Sequence, residues 1–234
     1  MKHIWFLVLV CIGGNLMAQP QSYKAAIASY EVIVEKSIRT AFQPHQEDGG
    51  SNGFVRKYYA SGAPSADGKY NPFDAVLTDT CMTLLRHSLK GKKIELGDKV
   101  PKDGLLSTYT AYNYPNMGLG KAARTGLAQA YIGVEVKFSF KESLAGMKRD
   151  VYIGLNMTPH VSISIKLVDS DGRTIYNANG AATATAPIAQ ETISEKLQSV
   201  HTDATAFRAD DDARSKMLMD LFNQALSEVM FNLK

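Results

Sequence analysis

The sequence predicts an α+β sandwich: a mixed, largely antiparallel sheet with helices packed against it and an amphipathic helix closing the chain. Three observations carry that prediction. From Ala130 to Leu167 apolar and polar residues alternate with a period of two in successive runs, the mark of strands with one buried and one wet face. Phe73, Val76-Leu77, Thr80-Cys81, Leu84-Leu85 and Ser88-Leu89 fall at helical spacing. So do Leu218, Leu221-Phe222, Ala225, Val229 and Leu233 near the end of the chain.

Composition agrees with a packed domain. The 234 residues (25.6 kDa) are 45% apolar and 21% charged, close to globular averages, which excludes a disordered or collagen-like chain. Lys plus Arg number 26 against 23 Asp plus Glu, and a net charge of +3 gives no electrostatic case for nucleic acid as a partner.

Residues 1–18 read as a secretory leader: Met1-Lys2-His3, an apolar run from Ile4 to Gly14, and Ala18 before Gln19-Pro20. Cleavage after Ala18 is the expectation, with lipidation at Cys11 or a retained anchor as alternatives. Val8-Leu9-Val10 before Cys11 lacks the small residues that lipidation needs. No later segment is apolar enough to span a membrane, so no integral span is expected after cleavage. The processed chain would keep one cysteine, Cys81, and could form no internal disulfide in a periplasmic or secreted setting. A reactive thiol and a small buried hydrophobe are the two readings of Cys81; its place on an apolar helix face favours burial.

Residues 19–53 are expected as a helical N-terminal arm and a flexible break, and residues 54–234 as a single α/β domain. Tyr23, Ala26-Ile27, Tyr30, Ile33-Val34, Ile38 and Ala41 predict a helix over 22–42, while Val32-Ile33-Val34 leaves a strand open for part of it. Pro44 and the run Glu47 to Gly53 supply the break. Phe54–Ala60 reads as a short strand. Asn71 and Pro72 suit the N-cap and first position of the Cys81 helix, which should stop near Lys90-Gly91. Ile94–Leu96 is a brief strand. Residues 97–120, rich in Gly, Pro, Asn and Tyr, predict a long irregular connection, and Lys121–Gln129 a short helix. Strands follow at Ala130–Phe140, Val151–Met157 and Val161–Leu167, with Pro159 marking an edge or bend. Asp169-Ser170-Asp171-Gly172 is a hairpin turn into Arg173–Asn177. Residues 178–209 have poor periodicity, apart from a short helix around Ile188–Val200. Asp210-Asp211-Asp212 starts the closing helix, where negative charge is favourable. In all, about four to six strands are expected.

Catalytic and cofactor signatures fail on context. His3, His45, His87, His160 and His201 are scattered without metal-ligand spacing, so neither a metal site nor a cofactor is predicted. Gly118-Leu119-Gly120-Lys121-Ala122-Ala123 matches a dinucleotide-binding turn in outline, but the preceding Thr108–Met117 does not read as a buried first strand. Asp169–Gly172 resembles the opening of a calcium loop, but Arg173 occupies the next ligand position and no acid closes it. Arg86, His87, Lys90, Lys92 and Lys93 form a basic group, readable as helix-terminal cations or as a contact site for acidic polymer or lipid headgroups. Tyr109, Tyr112 and Tyr114 stand on the irregular connection. They suit either burial against the sheet or a binding contact, since tyrosine brings apolar area and a polar tip.

One resemblance adds to this. Lys121–Lys234 carries a short helix Ala122–Gln129, a strand Ala130–Phe140, the strand Val161–Asp169 with Asp171-Gly172-Arg173-Thr174-Ile175-Tyr176, and a closing amphipathic helix. That layout resembles the periplasmic α/β domain shared by the curli-secretion lipoprotein, the lipoprotein activators of penicillin-binding proteins and the amino-terminal domain of TolB. The chain departs from the group in lacking a lipidation motif and in the length of residues 97–120 and 178–209. The resemblance implies a non-enzymatic envelope protein acting through contacts with other envelope proteins, and no functional residue transfers with it. The expectation is therefore an exported binding or assembly accessory protein whose contact residues are Tyr109, Tyr112 and Tyr114. The alternative is an exported hydrolase assembled from dispersed residues such as Asp74, His87 and His160.

Overall fold

The computed structural model describes residues 22–44, 53–66, 68–101, 108–148, 152–194, 199–203 and 211–233. The expected leader and most of the expected break lie outside them. In chain order the elements are β1 (Tyr23–Val34), α1 (Lys36–Phe42), α2 (Gly53–Ala60), α3 (Pro72–Gly91), β2 (Ile94–Lys99), β3 (Thr108–Tyr109), β4 (Pro115–Asn116), α4 (Leu119–Ala123), β5 (Ala130–Lys148), β6 (Tyr152–Asp169), β7 (Thr174–Thr183), β8 (Ala189–Ser194), β9 (Ser199–Asp203) and α5 (Asp211–Asn232). The strands form one open mixed sheet in the order β3-β4-β1-β5-β6-β8-β9, with β2 also beside β1 and β7 also beside β6. Among the described residues it has nine strands rather than four to six, because short ladders occur in both stretches whose sequence shows no period. β1 runs parallel to β2 and β5, and the remaining pairs are antiparallel. The parallel pair β1–β2 needs a crossover, which α1, α2 and α3 supply.

The helix expected over 22–42 is a strand followed by a short helix. Its inward residues are Tyr23, Ala25, Ile27, Tyr30, Val32 and Val34, and among them Tyr23, Ile27, Tyr30 and Val34 are spaced four, three and four apart, as on a helix face. A bulge at Ala28 produces that spacing: the register with β5 shifts between Ile27 and Ser29, so the strand's phase changes by one residue. Beyond the bulge, Tyr30, Val32 and Val34 lie beside Val134, Val136 and Phe138. Residues placed in a helical arm thus form a strand hydrogen-bonded on both sides within the sheet. Phe54–Ala60, expected as a strand, is helix α2, which buries Phe54 and Val55 and sets Phe54 edge-on to Phe73 at 5.7 Å. A run of seven residues is too short for its period to decide, and packing on α3 and α5 decides it instead.

α3 forms as expected. Asn71 Oδ1 accepts from the Phe73 N–H at 2.9 Å, and Pro72 stands in the first turn, where no N–H is needed. Cys81 is fully buried in its apolar face, and burial pushes the thiol pKa well up. β6 passes straight through Pro159. β7 ends opposite His160 and β8 begins opposite Met157, so Pro159 faces the gap between two neighbouring strands, where a missing donor costs little. The helix expected around Ile188–Val200 is instead the β8–β9 hairpin, because the first half of β6 offers a ladder partner that the sequence pattern does not show. The Asp169–Gly172 turn is as expected: Asp169 Oδ1 accepts from the N–H groups of Asp171 (2.9 Å) and Arg173 (2.8 Å), and Gly172 has φ +80°.

α1, α2, α3 and α5 cover one face of the sheet. The core there joins Ile27, Tyr30, Ile132, Val136, Phe138, Ile163 and Leu167 to Leu77, Leu85, Phe222 and Val229. Among the described residues, the other face carries only α4, over a small cluster of Ala28, Val100, Met117, Ala122, Ala123, Tyr131 and Val168. α5 lies against β7 so closely that a Cβ built on Gly180 would stand 2.3 Å from the Ala225 carbonyl oxygen. The same contact closes the outer edge of β7: Glu228 Oε2 accepts from the Ala181 N–H at 2.7 Å, and Asn232 Nδ2 donates to the Asn179 carbonyl at 3.0 Å.

Candidate functional site

The tyrosine-bearing connection begins where β2 ends and returns through the tight turn Thr110–Tyr114. The Thr110 N–H donates to the Tyr114 carbonyl (2.8 Å) and the Asn113 N–H to the Thr110 carbonyl (3.0 Å), with Asn113 at φ +60°. That region tolerates Asn better than other side chains. Lys99 Nζ lies 4.0 Å from the centre of the Tyr114 ring and donates to the Asn113 carbonyl at 2.6 Å, which ties the turn to β2.

All three predicted residues are half-buried, and each is fixed by the body of the protein. Tyr109 donates its hydroxyl to the Val100 carbonyl (2.5 Å). The Tyr112 hydroxyl reaches Asp74 Oδ2 (3.4 Å), and its ring tilts against Tyr70 at 6.1 Å. Tyr114 packs edge-on to Tyr30 with centroids 4.7 Å apart, and the buried Tyr30 in turn donates to the Thr78 carbonyl at 2.8 Å. Burial, reinforced by the Asp74 carboxylate, pushes the Tyr112 phenol up to about 12, so it is neutral at any physiological pH.

Arg39, in α1, meets Asp74 beneath Tyr112. Its Nε donates to Oδ1 (3.0 Å) and its Nη2 to Oδ2 (2.6 Å), a two-pronged pair at the start of α3. The hydrogen bond to Asp74 raises the guanidinium pKa further. The partners are 35 positions apart in sequence, and no local pattern could have joined them. Because the Asp74 side chain is only 11% exposed, Arg39→Ala leaves a largely buried carboxylate without its cation. The expected loss is about 1–3 kcal/mol, below the 3–5 of a fully buried pair. Urea melts of Arg39→Ala, Asp74→Asn and the double variant check this, and strictly additive single losses would show that the pair carries no coupling.

The residues named for a hydrolytic site do not share one. Asp74 and His87 are 13 residues apart on α3, about 20 Å along the axis at 1.5 Å per residue. His160 lies on β6, with Nδ1 2.9 Å from Thr183 Oγ1; burial and Lys141 lower its pKa, so the ring is neutral at neutral pH. Its alternation with inward Val161 and Ile163 puts it on the sheet face opposite α3. Among the described residues no group of three or more His, Cys, Asp or Glu is placed to hold a metal, and no helix is long and apolar enough to cross a membrane. Gly118–Ala123 is a loop running into the short helix α4.

The alternation of the strands predicts a wet sheet face but names no site on it. There a shallow groove of about 280 Å³ runs beside α4, lined by Ser29, Glu31, Leu119, Glu135, Ser164 and Lys166. It is the wet half of the alternation that predicted the strands. The sequence did contain it, as the polar positions of each run.

The fold places the chain in a broad class, a mixed α+β protein with an open sheet and helices packed chiefly on one side. No protein-family model matches the chain, and no curated protein matches it. Among solved structures it is similar to one described as a putative neuraminyllactose-binding hemagglutinin homolog from Helicobacter pylori. That likeness has a TM-score of 0.40 and 8% identity, over 92% of this chain and 90% of that one. It is also similar to the hypothetical protein CT253 from Chlamydia trachomatis, with a TM-score of 0.33 and 11% identity, over 90% of this chain and 98% of that one. Both are distant likenesses of α/β layout, and no function passes from them to this chain.

Proposed function

We propose that the chain is an exported, non-enzymatic binding or assembly module of a cell envelope, acting through protein contacts made by the Tyr109–Tyr114 turn. The observation that carries this reading is the fixing of the turn. Three half-exposed tyrosines are held by Val100, Asp74, Tyr30 and Lys99, so a partner meets aromatic surface already ordered. Pre-ordered rings bind without the cost of immobilising them, about 0.5–1.5 kcal/mol per side chain. The leader-like residues 1–18 support export.

The test is affinity capture from envelope extract, with the processed chain and a Tyr109, Tyr112, Tyr114 triple Ala variant as baits. Because Tyr114 packs on Tyr30, Tyr112→Ala serves as a third bait with an undisturbed core. The expected result is a partner enriched on wild type and lost from both variants, with Tyr112→Ala still melting cooperatively. Identical partner lists from all three baits would sink the turn as the contact. Intact mass of the envelope protein checks location: a chain starting at Gln19 supports export with cleavage, and a diacylated chain starting at Cys11 contradicts it.

A further inference from the structure

We propose that the end of the helical layer where α3 and α5 terminate binds anionic lipid headgroups at a membrane surface. This goes beyond the protein-contact reading and does not depend on the tyrosine turn. Arg86, His87 and Lys90 are exposed on the last turns of α3, and Lys92 and Lys93 form the turn after it.

The nearby carboxylates do not cancel this charge: Arg86, Lys90, Lys92 and Lys93 stand against Glu95 and Asp98 on β2. Asp79 is held by Lys57 Nζ at 2.9 Å, and Glu95 is the register partner of Lys24 on β1. Nor are the cations needed to cap α3. The Lys92 N–H bonds to the Leu89 carbonyl (2.9 Å) and the Lys93 N–H to the Lys90 carbonyl (3.1 Å), so two of the last carbonyls already have donors.

The choice of lipid over a soluble acidic polymer comes from α5. Lys92 Nζ donates to the Leu233 carbonyl at 3.2 Å, which brings the ends of the two helices together. Phe231, in the last turn of α5, is 71% exposed at this same end. Long cationic side chains with an exposed aromatic ring suit an interface where the charges reach phosphate and the ring enters the apolar boundary. A polymer in water offers the charge but no apolar layer.

The test uses vesicles of phosphatidylglycerol with phosphatidylethanolamine against vesicles of phosphatidylcholine, with co-sedimentation of the exported chain at low and high salt. Arg86→Ala, Lys90→Ala and Lys93→Asn are combined in one variant; Lys93 has φ +60°, a conformation that Asn accepts. All three residues are exposed, and an unchanged melting temperature confirms that the variant folds. Wild type is expected to bind the anionic vesicles selectively and to release in high salt. The triple variant should bind about a hundredfold more weakly, from roughly a factor of five per removed cation. Phe231→Ser should weaken binding while leaving its salt dependence unchanged. Equal binding to both vesicles, or equal binding by wild type and triple variant, overturns the proposal. Capture by soluble polyphosphate with no vesicle binding also overturns it, in favour of an acidic polymer.

Discussion

Ile163→Asp should abolish the folded state, while Ser162→Asp one residue away should fold. Ile163 is 2% exposed and stands on β6 opposite Val136, between the sheet and α5. The substitution forfeits about 1.5–3 kcal/mol of side-chain burial. It also places a carboxylate in an apolar layer without a partner, at a further cost of several kcal/mol. Together these reach the total stability of an ordinary domain, about 5–15 kcal/mol. Ser162 faces the open side of the sheet with Lys137 as its register partner, so an aspartate there meets water and a cation. Its expected effect is within about 0.5 kcal/mol. Val134→Asp should behave like Ile163→Asp, since Val134 is 4% exposed on the same face. Circular dichroism and urea melts decide the matter. A cooperative, wild-type-like melt of Ile163→Asp would mean that the strand phase is wrong.

Gly180→Ala should destabilise the protein by about 3 kcal/mol or more, the upper end of overpacking costs. The added Cβ would stand 2.3 Å from the Ala225 carbonyl oxygen and 2.8 Å from the Val229 amide nitrogen. Both obstructing atoms belong to the α5 backbone, so no rotamer change relieves the clash and the helix itself must move off β7. That movement also breaks the Glu228 bond to Ala181 and the Asn232 bond to Asn179. Gly133→Ala is the control. Its Cβ would meet only the Leu119 side chain, at 3.4 Å, which can give way. Its effect should stay under about 1 kcal/mol. A Gly180→Ala midpoint equal to that of Gly133→Ala would show that α5 does not lie this close to the sheet.

The candidate site was legible only in its parts. Tyr109, Tyr112 and Tyr114 stood out as aromatics on an irregular stretch, and Asp74 only as one of the dispersed residues named for a hydrolytic site. Their meeting, with Arg39 beneath Tyr112, depends on the crossover that carries the chain from β1 through α1–α3 to β2. Contacts between residues 35 or more positions apart leave no periodic trace in a sequence. The separation of His160 from Asp74 and His87 was equally invisible. It follows from the side of the sheet that each element occupies.

What the sequence by itself determined is the set of elements whose own length and period suffice: α3 with its Asn71 cap, the β5–β6 ladder, the Asp169–Gly172 turn and α5. In each, nearby residues supply the pattern, and in α3, α5 and the turn they supply most of the hydrogen bonds as well, so local chemistry and global packing agree. Tertiary structure decided the rest. β1 was hidden because the bulge at Ala28 gave its inward residues a helical spacing, and only pairing with β2 and β5 selects the strand. α2 was too short to show its period, and α3 and α5 hold it as a helix. β8 and β9 acquire their extended form from the first half of β6, because a strand's hydrogen bonds lie in its neighbours, whereas a helix closes its bonds within itself.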